Sequence, residues 1–174
     1  MEEERVRYLL ISLTSYIVLL WLMIFLPYAH ASDNTIAIQT KGTSTSISID
    51  QSGSSNTTTV WCGLSNGTYT THTCSNATMT IDQHGTSNIA RAYSQVSNHN
   101  DNVYIINQNG NSNNGYIDLD DDDNTATITQ TGDSNYGEIY MKGDDNVYTI
   151  TQTGNSFYAK MYAFGDDSAW AITQ

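Results

Sequence analysis

The chain of 174 residues contains one proline, two cysteines and six basic residues against eighteen acidic ones. Its formal net charge of −12 excludes a nucleic-acid-binding protein of the usual kind, because phosphate binding needs a basic face. Two cysteines are too few for a zinc site when the histidines do not cluster. No nucleophile, histidine and acid stand at a catalytic spacing. The sequence therefore predicts neither an enzyme nor a cofactor.

The N-terminal segment has the features of a targeting sequence. Two arginines precede an apolar run, Tyr8–Pro27, and Ala29–Ala31 is a small-x-small site of the kind that signal peptidases cleave. We predict a signal peptide at residues 1–31 and a mature repeat domain at residues 32–174. An uncleaved anchor is the alternative, because the run is long enough to span a bilayer and three glutamates precede the arginines.

A unit marked by glutamine recurs along the mature chain, at Gln51, Gln83, Gln108, Gln130, Gln152 and Gln174. The spacings are 32, 25, 22, 22 and 22 residues. An isoleucine stands two residues before each glutamine: Ile49, Ile81, Ile106, Ile128, Ile150 and Ile172. A glycine stands two residues after the first five: Gly53, Gly85, Gly110, Gly132 and Gly154. An asparagine stands five residues after the first four: Asn56, Asn88, Asn113 and Asn135.

The repeated positions step by two on either side of the glycine, which is the periodicity of β-strands. Each unit therefore predicts strand, turn, strand, turn, and glycine supplies the positive φ of the turn. One such pair of strands is not stable alone, but stacked units can pair in parallel about 4.8 Å apart. We predict an all-β fold, a two-sheet parallel β-solenoid with amyloid-like stacking. Its inward glutamines, asparagines and isoleucines would form ladders, in which each buried amide bonds to its own copies.

The first spacing is ten residues longer than the later period, and we place the excess in a loop insertion at residues 62–76. Cys62 and Cys74 stand near its two ends. An even pair in an exported protein predicts a disulfide that closes this loop. Two free thiols are the alternative.

The repeat resembles that of the curlins, the subunits of bacterial curli fibres, in which Ser-x5-Gln-x4-Asn-x5-Gln carries a glycine two residues after the first glutamine. The first glutamine, the glycine and the asparagine are present here. The second glutamine is replaced by Cys62, Ser94, Leu119, Met141 and Ala163. The resemblance implies a divergent curlin, an exported amyloid-fibre subunit with a role in biofilm matrix and adhesion. Its implied partners are copies of itself, a nucleator subunit and an outer-membrane secretion pore.

The mature chain starts and finishes with half of a unit. Its first residues fit a second strand without a first, and its last residues fit a first strand without a second. Placed head to tail, the two halves would complete one rung, with Ile172 facing Ile38. The residues of this predicted joint are Asn34, Ile36, Ile38, Trp170, Ile172 and Gln174. The sequence thus predicts a head-to-tail homopolymer.

Other interpretations remain open at this level. Outward threonines at Thr127, Thr129 and Thr131, repeated one unit later, also fit a monomeric solenoid that binds ice or a surface glycan. A stalk segment of a larger adhesin is a further alternative. The acidic turns, such as residues 120–123, could bind calcium. We favour charge that keeps the chain soluble and delays premature stacking.

Overall fold

The computed structural model describes residues 33–63, 73–94 and 99–174. The predicted signal peptide at residues 1–31 lies outside them, as do residues 64–72, which make up most of the predicted insertion. These two boundaries therefore stay predictions. In the described part of the chain, no helix is long and apolar enough to cross a membrane.

Fourteen strands lie in the described residues, where no helix is found. They are β1 (Thr35–Thr40), β2 (Ser46–Ser54), β3 (Thr57–Cys62), β4 (Cys74–Ser75), β5 (Thr78–Thr86), β6 (Ile89–Ser94), β7 (His99–Asn100), β8 (Val103–Asn109), β9 (Asn114–Asp120), β10 (Thr125–Thr131), β11 (Tyr136–Lys142), β12 (Val147–Thr153), β13 (Tyr158–Phe164) and β14 (Ala169–Thr173).

The longer strands form two six-stranded parallel sheets. Sheet I has the order β1-β3-β6-β9-β11-β13, and sheet II has the order β2-β5-β8-β10-β12-β14. The short strands β4 and β7 pair with each other. Equivalent residues of successive units lie side by side, as Ile128 lies beside Ile150 and Gln130 beside Gln152. The chain passes from one sheet to the other in each unit, so the predicted two-sheet parallel β-solenoid is confirmed.

Every second side chain of the central strands points into the core between the sheets. Ile128 on β10 and Ile139 on β11 are fully buried, whereas Thr127 and Thr129 are half-buried on the outer face. Burying one isoleucine stabilises the fold by about 1.5–3 kcal/mol relative to leaving it exposed. The alternation seen in the sequence is thus the alternation between core and surface.

Small residues lie opposite the buried glutamines. A Cβ atom at Gly115 would lie 3.4 Å from Nε2 of Gln108 and 2.9 Å from Cγ2 of Ile106. In the first unit, Oγ1 of Thr58 lies opposite Gln51 and accepts a hydrogen bond from its Nε2 at 3.1 Å. The thin core therefore accommodates a long amide only where the facing strand carries a small side chain.

Candidate assembly interface

A continuous ladder of side-chain hydrogen bonds joins the glutamines of sheet II. In each step, Nε2 of one glutamine donates to Oε1 of the next one along the chain. The distances are 2.7 Å for Gln51–Gln83, 2.8 Å for Gln83–Gln108, 2.9 Å for Gln108–Gln130, 2.9 Å for Gln130–Gln152 and 3.1 Å for Gln152–Gln174. All the donors therefore point toward the C-terminal end of the stack.

The second N–H of these amides is also used. Nε2 of Gln108 donates to the carbonyl of Ile89 at 2.9 Å, and Nε2 of Gln152 donates to the carbonyl of Tyr136 at 3.0 Å. Leaving a buried amide unpaired costs about 1–3 kcal/mol. The ladder avoids this cost only while the units stay in register.

The asparagines after the first turn form a second ladder, which bonds side chain to backbone. Oδ1 of each asparagine accepts the backbone N–H of the equivalent residue in the next unit. The distances are 2.9 Å for Asn34–Asn56, 2.9 Å for Asn56–Asn88, 3.0 Å for Asn88–Asn113, 3.0 Å for Asn113–Asn135 and 3.0 Å for Asn135–Phe157. Their Nδ2 atoms donate to carbonyls of the turn glycines, as Asn113 does to Gly132 at 2.7 Å. The ladder thus holds one edge of the stack together.

A third ladder lies at the opposite edge, and it was not among the ladders predicted from the sequence. Asn102, Asn124 and Asn146 are buried, and each Oδ1 accepts the backbone N–H of the next unit at 2.8 Å, 3.0 Å and 3.0 Å. The last of these N–H groups belongs to Ser168. These residues occupy the position where the curlin pattern has serine, and their spacing of 22 residues was the available signal.

The turn glycines stack so closely that a side chain would not fit between them. A Cβ atom at Gly132 would lie 2.2 Å from the carbonyl oxygen of Gly154, and Gly53, Gly85 and Gly110 are equally restricted. All five turn glycines have positive φ, including Gly132 at 108° and Gly154 at 138°. At Gly165, in the last acidic turn, nothing lies within 4 Å. The C-terminal end of the stack therefore offers an open position where another glycine would fit.

The acidic turns also form a column. Oδ1 of Asp144 accepts the backbone N–H of Asp122 at 2.8 Å, and Oδ1 of Asp166 accepts that of Asp144 at 3.0 Å. Partial desolvation, together with the carboxylates of Asp101 and Asp145, raises the pKa of Asp123. Over the described residues, no group of three or more acidic, histidine or cysteine side chains is arranged to hold a metal ion. The carboxylates thus act as hydrogen-bond acceptors for the turns.

The isoleucine column runs through the core. Ile81, Ile106, Ile128 and Ile150 are buried, whereas Ile49 and Ile172 are half-buried because they lie in the outermost strands of sheet II. Cys62 and Cys74 are also buried and form a disulfide, with their Cα atoms 5.3 Å apart. The disulfide joins the end of β3 to the start of β4, and both cysteines belong to the hydrophobic core cluster.

The two ends of the solenoid are stepped in opposite ways. Strand β1 extends sheet I by one strand at the N-terminal end, while β14 extends sheet II by one strand at the C-terminal end. Ile36 and Ile38 on β1 are 50% and 47% exposed, and Trp170 on β14 is 66% exposed. Asn34 and Ile172 are half-buried, and Gln174 is exposed. At the C-terminal end the step encloses an open cleft of about 550 Å³ whose lining includes Met161, Trp170 and Ile172.

One full unit of the stack and the first strand of the next, β10 to β12, lie within the segment that matches a known family. Residues 122–154 match the model of the curlin associated repeat. This segment is similar to a curlin repeat. The match confirms the resemblance inferred from the spacing of glutamine, glycine and asparagine, and it is consistent with a divergent member of the curlin repeat proteins. Searches of curated proteins and of solved structures returned no match.

Proposed function

We propose that the chain is a secreted structural subunit without enzymatic activity that assembles head to tail into curli-like amyloid fibres at the cell surface, with a role in biofilm matrix and adhesion. The curlin repeat and the β-solenoid support a structural role. The observation that carries the assembly is the complementary step at the two ends. The secretion pore and the nucleator subunit implied by the curlin resemblance belong to this proposal.

The register within the chain defines how two copies would join. Strand β13 at the edge of sheet I would pair with β1 of the next copy, and β14 at the edge of sheet II would pair with its β2. Continuing the pairing seen inside the chain sets Met161 beside Ile38 and Ile172 beside Ile49. The exposed apolar side chains of both ends would then be buried, and the unpaired strand edges would be satisfied.

The amide ladder also continues through such a joint. Gln174 accepts from Gln152 through Oε1, and its Nε2 makes only a long contact of 3.5 Å to the carbonyl of Tyr158. At the other end, Gln51 donates through Nε2 to Gln83, and none of the hydrogen bonds described for it uses its Oε1. The donor of one end therefore meets the acceptor of the other. With five full units and one shared rung, each subunit would add six rungs, or about 29 Å, to the fibre.

The direct test is to purify residues 32–174 and follow assembly by thioflavin fluorescence and electron microscopy. We expect fibres with an axial subunit repeat of about 29 Å. A variant that lacks residues 169–174 should keep the circular dichroism spectrum of the central units and elongate much more slowly. Normal fibres from this variant, or a very different axial repeat, would exclude the joint.

A further inference from the structure

A cleft on the outer face of sheet I plays no part in the proposed assembly. It has a volume of about 340 Å³ and lies over strands β9, β11 and β13, the last three strands of sheet I. Its lining consists of Tyr116, Asp118, Tyr136, Glu138, Tyr140 and Tyr162. Four phenol rings and two carboxylates thus surround one space on an otherwise solvated sheet face.

Asp118 is held in this lining without a countercharge. Its side chain is only 8% exposed, and Oδ2 accepts a hydrogen bond from the Tyr116 hydroxyl at 3.0 Å. Oδ1 is buried and has no hydrogen-bond partner. Burial, and secondarily the neighbouring carboxylate of Asp120, raises the pKa of Asp118 to about 7. Such a group destabilises the fold unless something pairs with it, which is typical of residues kept for binding.

One unit further on, the same face shows what kind of group fills such a space. Nζ of Lys160 lies 2.7 Å from Oε2 of Glu138. It also lies 5.4 Å from the ring centroid of Tyr136 and 5.7 Å from that of Tyr158. An ammonium group is therefore held there by one carboxylate and the faces of aromatic rings. The residues paired with Asp118 in the two adjacent strands are Tyr93 and Tyr140, so neither strand places an ammonium group beside it as β13 does beside Glu138.

We propose that this cleft binds a protonated amino sugar, as it occurs in a polysaccharide with unacetylated hexosamine units. The ammonium group would pair with the Asp118 carboxylate, the apolar face of the pyranose would lie on a tyrosine ring, and its hydroxyls would bond to the surrounding phenols. The strong negative charge of the chain favours a cationic polymer over a neutral or acidic one. Every lining residue comes from one chain, so binding does not require a second copy and can be measured before assembly.

The test measures the binding of a fluorescently labelled glucosamine hexamer at pH 7 to freshly purified residues 32–174 and to preformed fibres. The N-acetylglucosamine hexamer keeps the rings and removes the charge, while spermidine keeps the charge and removes the rings. Asp118→Asn keeps the shape of the side chain, and Asp133→Asn in an exposed turn is the matched control. We expect Asp118→Asn to weaken binding of the glucosamine hexamer at least about tenfold, and Asp133→Asn to leave it unchanged.

Three outcomes would overturn the proposal. Equal binding of the acetylated hexamer would show that the ammonium group plays no part. An unchanged affinity in Asp118→Asn would show that the ligand binds elsewhere, and spermidine binding as tightly as the hexamer would show a general attraction to the acidic surface. Circular dichroism establishes that the variants fold. A wild-type chain that fails to form fibres would count against the proposed function only, because binding is also measured before assembly.

Discussion

Nε2 of Gln130 donates to Oε1 of Gln152 at 2.9 Å while its own Oε1 accepts from Gln108 at the same distance. Each buried amide is thus both a hydrogen-bond donor and a hydrogen-bond acceptor in the same column. A side chain that can only donate or only accept cannot replace it. The core of this solenoid depends on this property as much as on its isoleucines.

Replacing one amide by an acid tests the ladder. In Gln130→Glu the carboxylate cannot donate to Oε1 of Gln152 or to the carbonyl of Asn114, and it introduces a buried charge. We expect a loss of about 3–5 kcal/mol in the free energy of unfolding, measured by urea denaturation. Part of the loss should be recovered at acidic pH, where the new acid is protonated. Thr129→Glu, on the outer face, is the control, and an equal loss there would mean that the ladder contributes little.

Alanine variants of two glycines distinguish residues needed for the stability of the monomer from residues needed for the joint between subunits. Gly132→Ala combines strain at a φ of 108° with a clash against the carbonyl of Gly154, whereas Gly165→Ala carries strain at a φ of 122° alone. The strain costs about 1–2 kcal/mol in each, so Gly132→Ala should be clearly the less stable monomer. In the proposed joint, Gly165 would stack on Gly42 of the next copy. Gly165→Ala should therefore slow seeded elongation strongly, and wild-type elongation would contradict the joint.

The disulfide stabilises the chain mainly through its unfolded state. Cys62 and Cys74 are 12 residues apart, and closing a loop of this size stabilises by about 3 kcal/mol in the chain-entropy estimate. The Cys62→Ser/Cys74→Ser double variant should lose about that much stability and still form fibres. Denaturation with and without a reductant checks this, because the reductant should affect the wild-type chain alone. Free thiols found by mass spectrometry in the exported protein would contradict the pairing.

Asp118 makes a specific contribution to the pH dependence of stability. Because its folded pKa of about 7 lies above the ordinary value of 3.8, the folded chain binds more protons than the unfolded chain between these values. The contribution is therefore present below about pH 4 and is lost as the pH rises to 7, on the order of 4 kcal/mol in total. Subtracting the urea-denaturation profile of Asp118→Asn from that of the wild type isolates it. A flat difference would mean that Asp118 is not desolvated.

The fold could be predicted because one spacing fixes both strand periodicity and register. The stepping by two around Gly132 identifies the strands, and the distance of 22 residues from Gln130 to Gln152 requires that equivalent residues stack. Side chains that face the core are of the same chemical type in each unit, because each one packs against the equivalent residue of the adjacent unit. The turns hold a feature the spacing did not reveal: the serine before the asparagine, such as Ser134, also has positive φ.

The cleft could not be predicted, because it depends on differences between units and not on their repetition. By alternation Asp118 belongs to the outer face, where a carboxylate is ordinarily solvated. Its burial depends on neighbours such as Tyr116 in the same strand and Tyr140 in the adjacent strand. The residue types at these positions vary from unit to unit. Outward-facing positions are not required to repeat from unit to unit, so the repeat does not predict which of their side chains come together in a cleft.

The common direction of the glutamine donors has a consequence for how a fibre grows. Because each Nε2 points toward the C-terminal end, a fibre of such subunits would have two chemically different tips, one with free donors above β14 and one with free acceptors below β2. An arriving subunit would meet Trp170 at one tip and Ile36 at the other, so its capture and its loss should have unequal rates at the two. We therefore expect elongation to be asymmetric, with one fast tip and one slow tip, as in other filaments whose building blocks all face the same way.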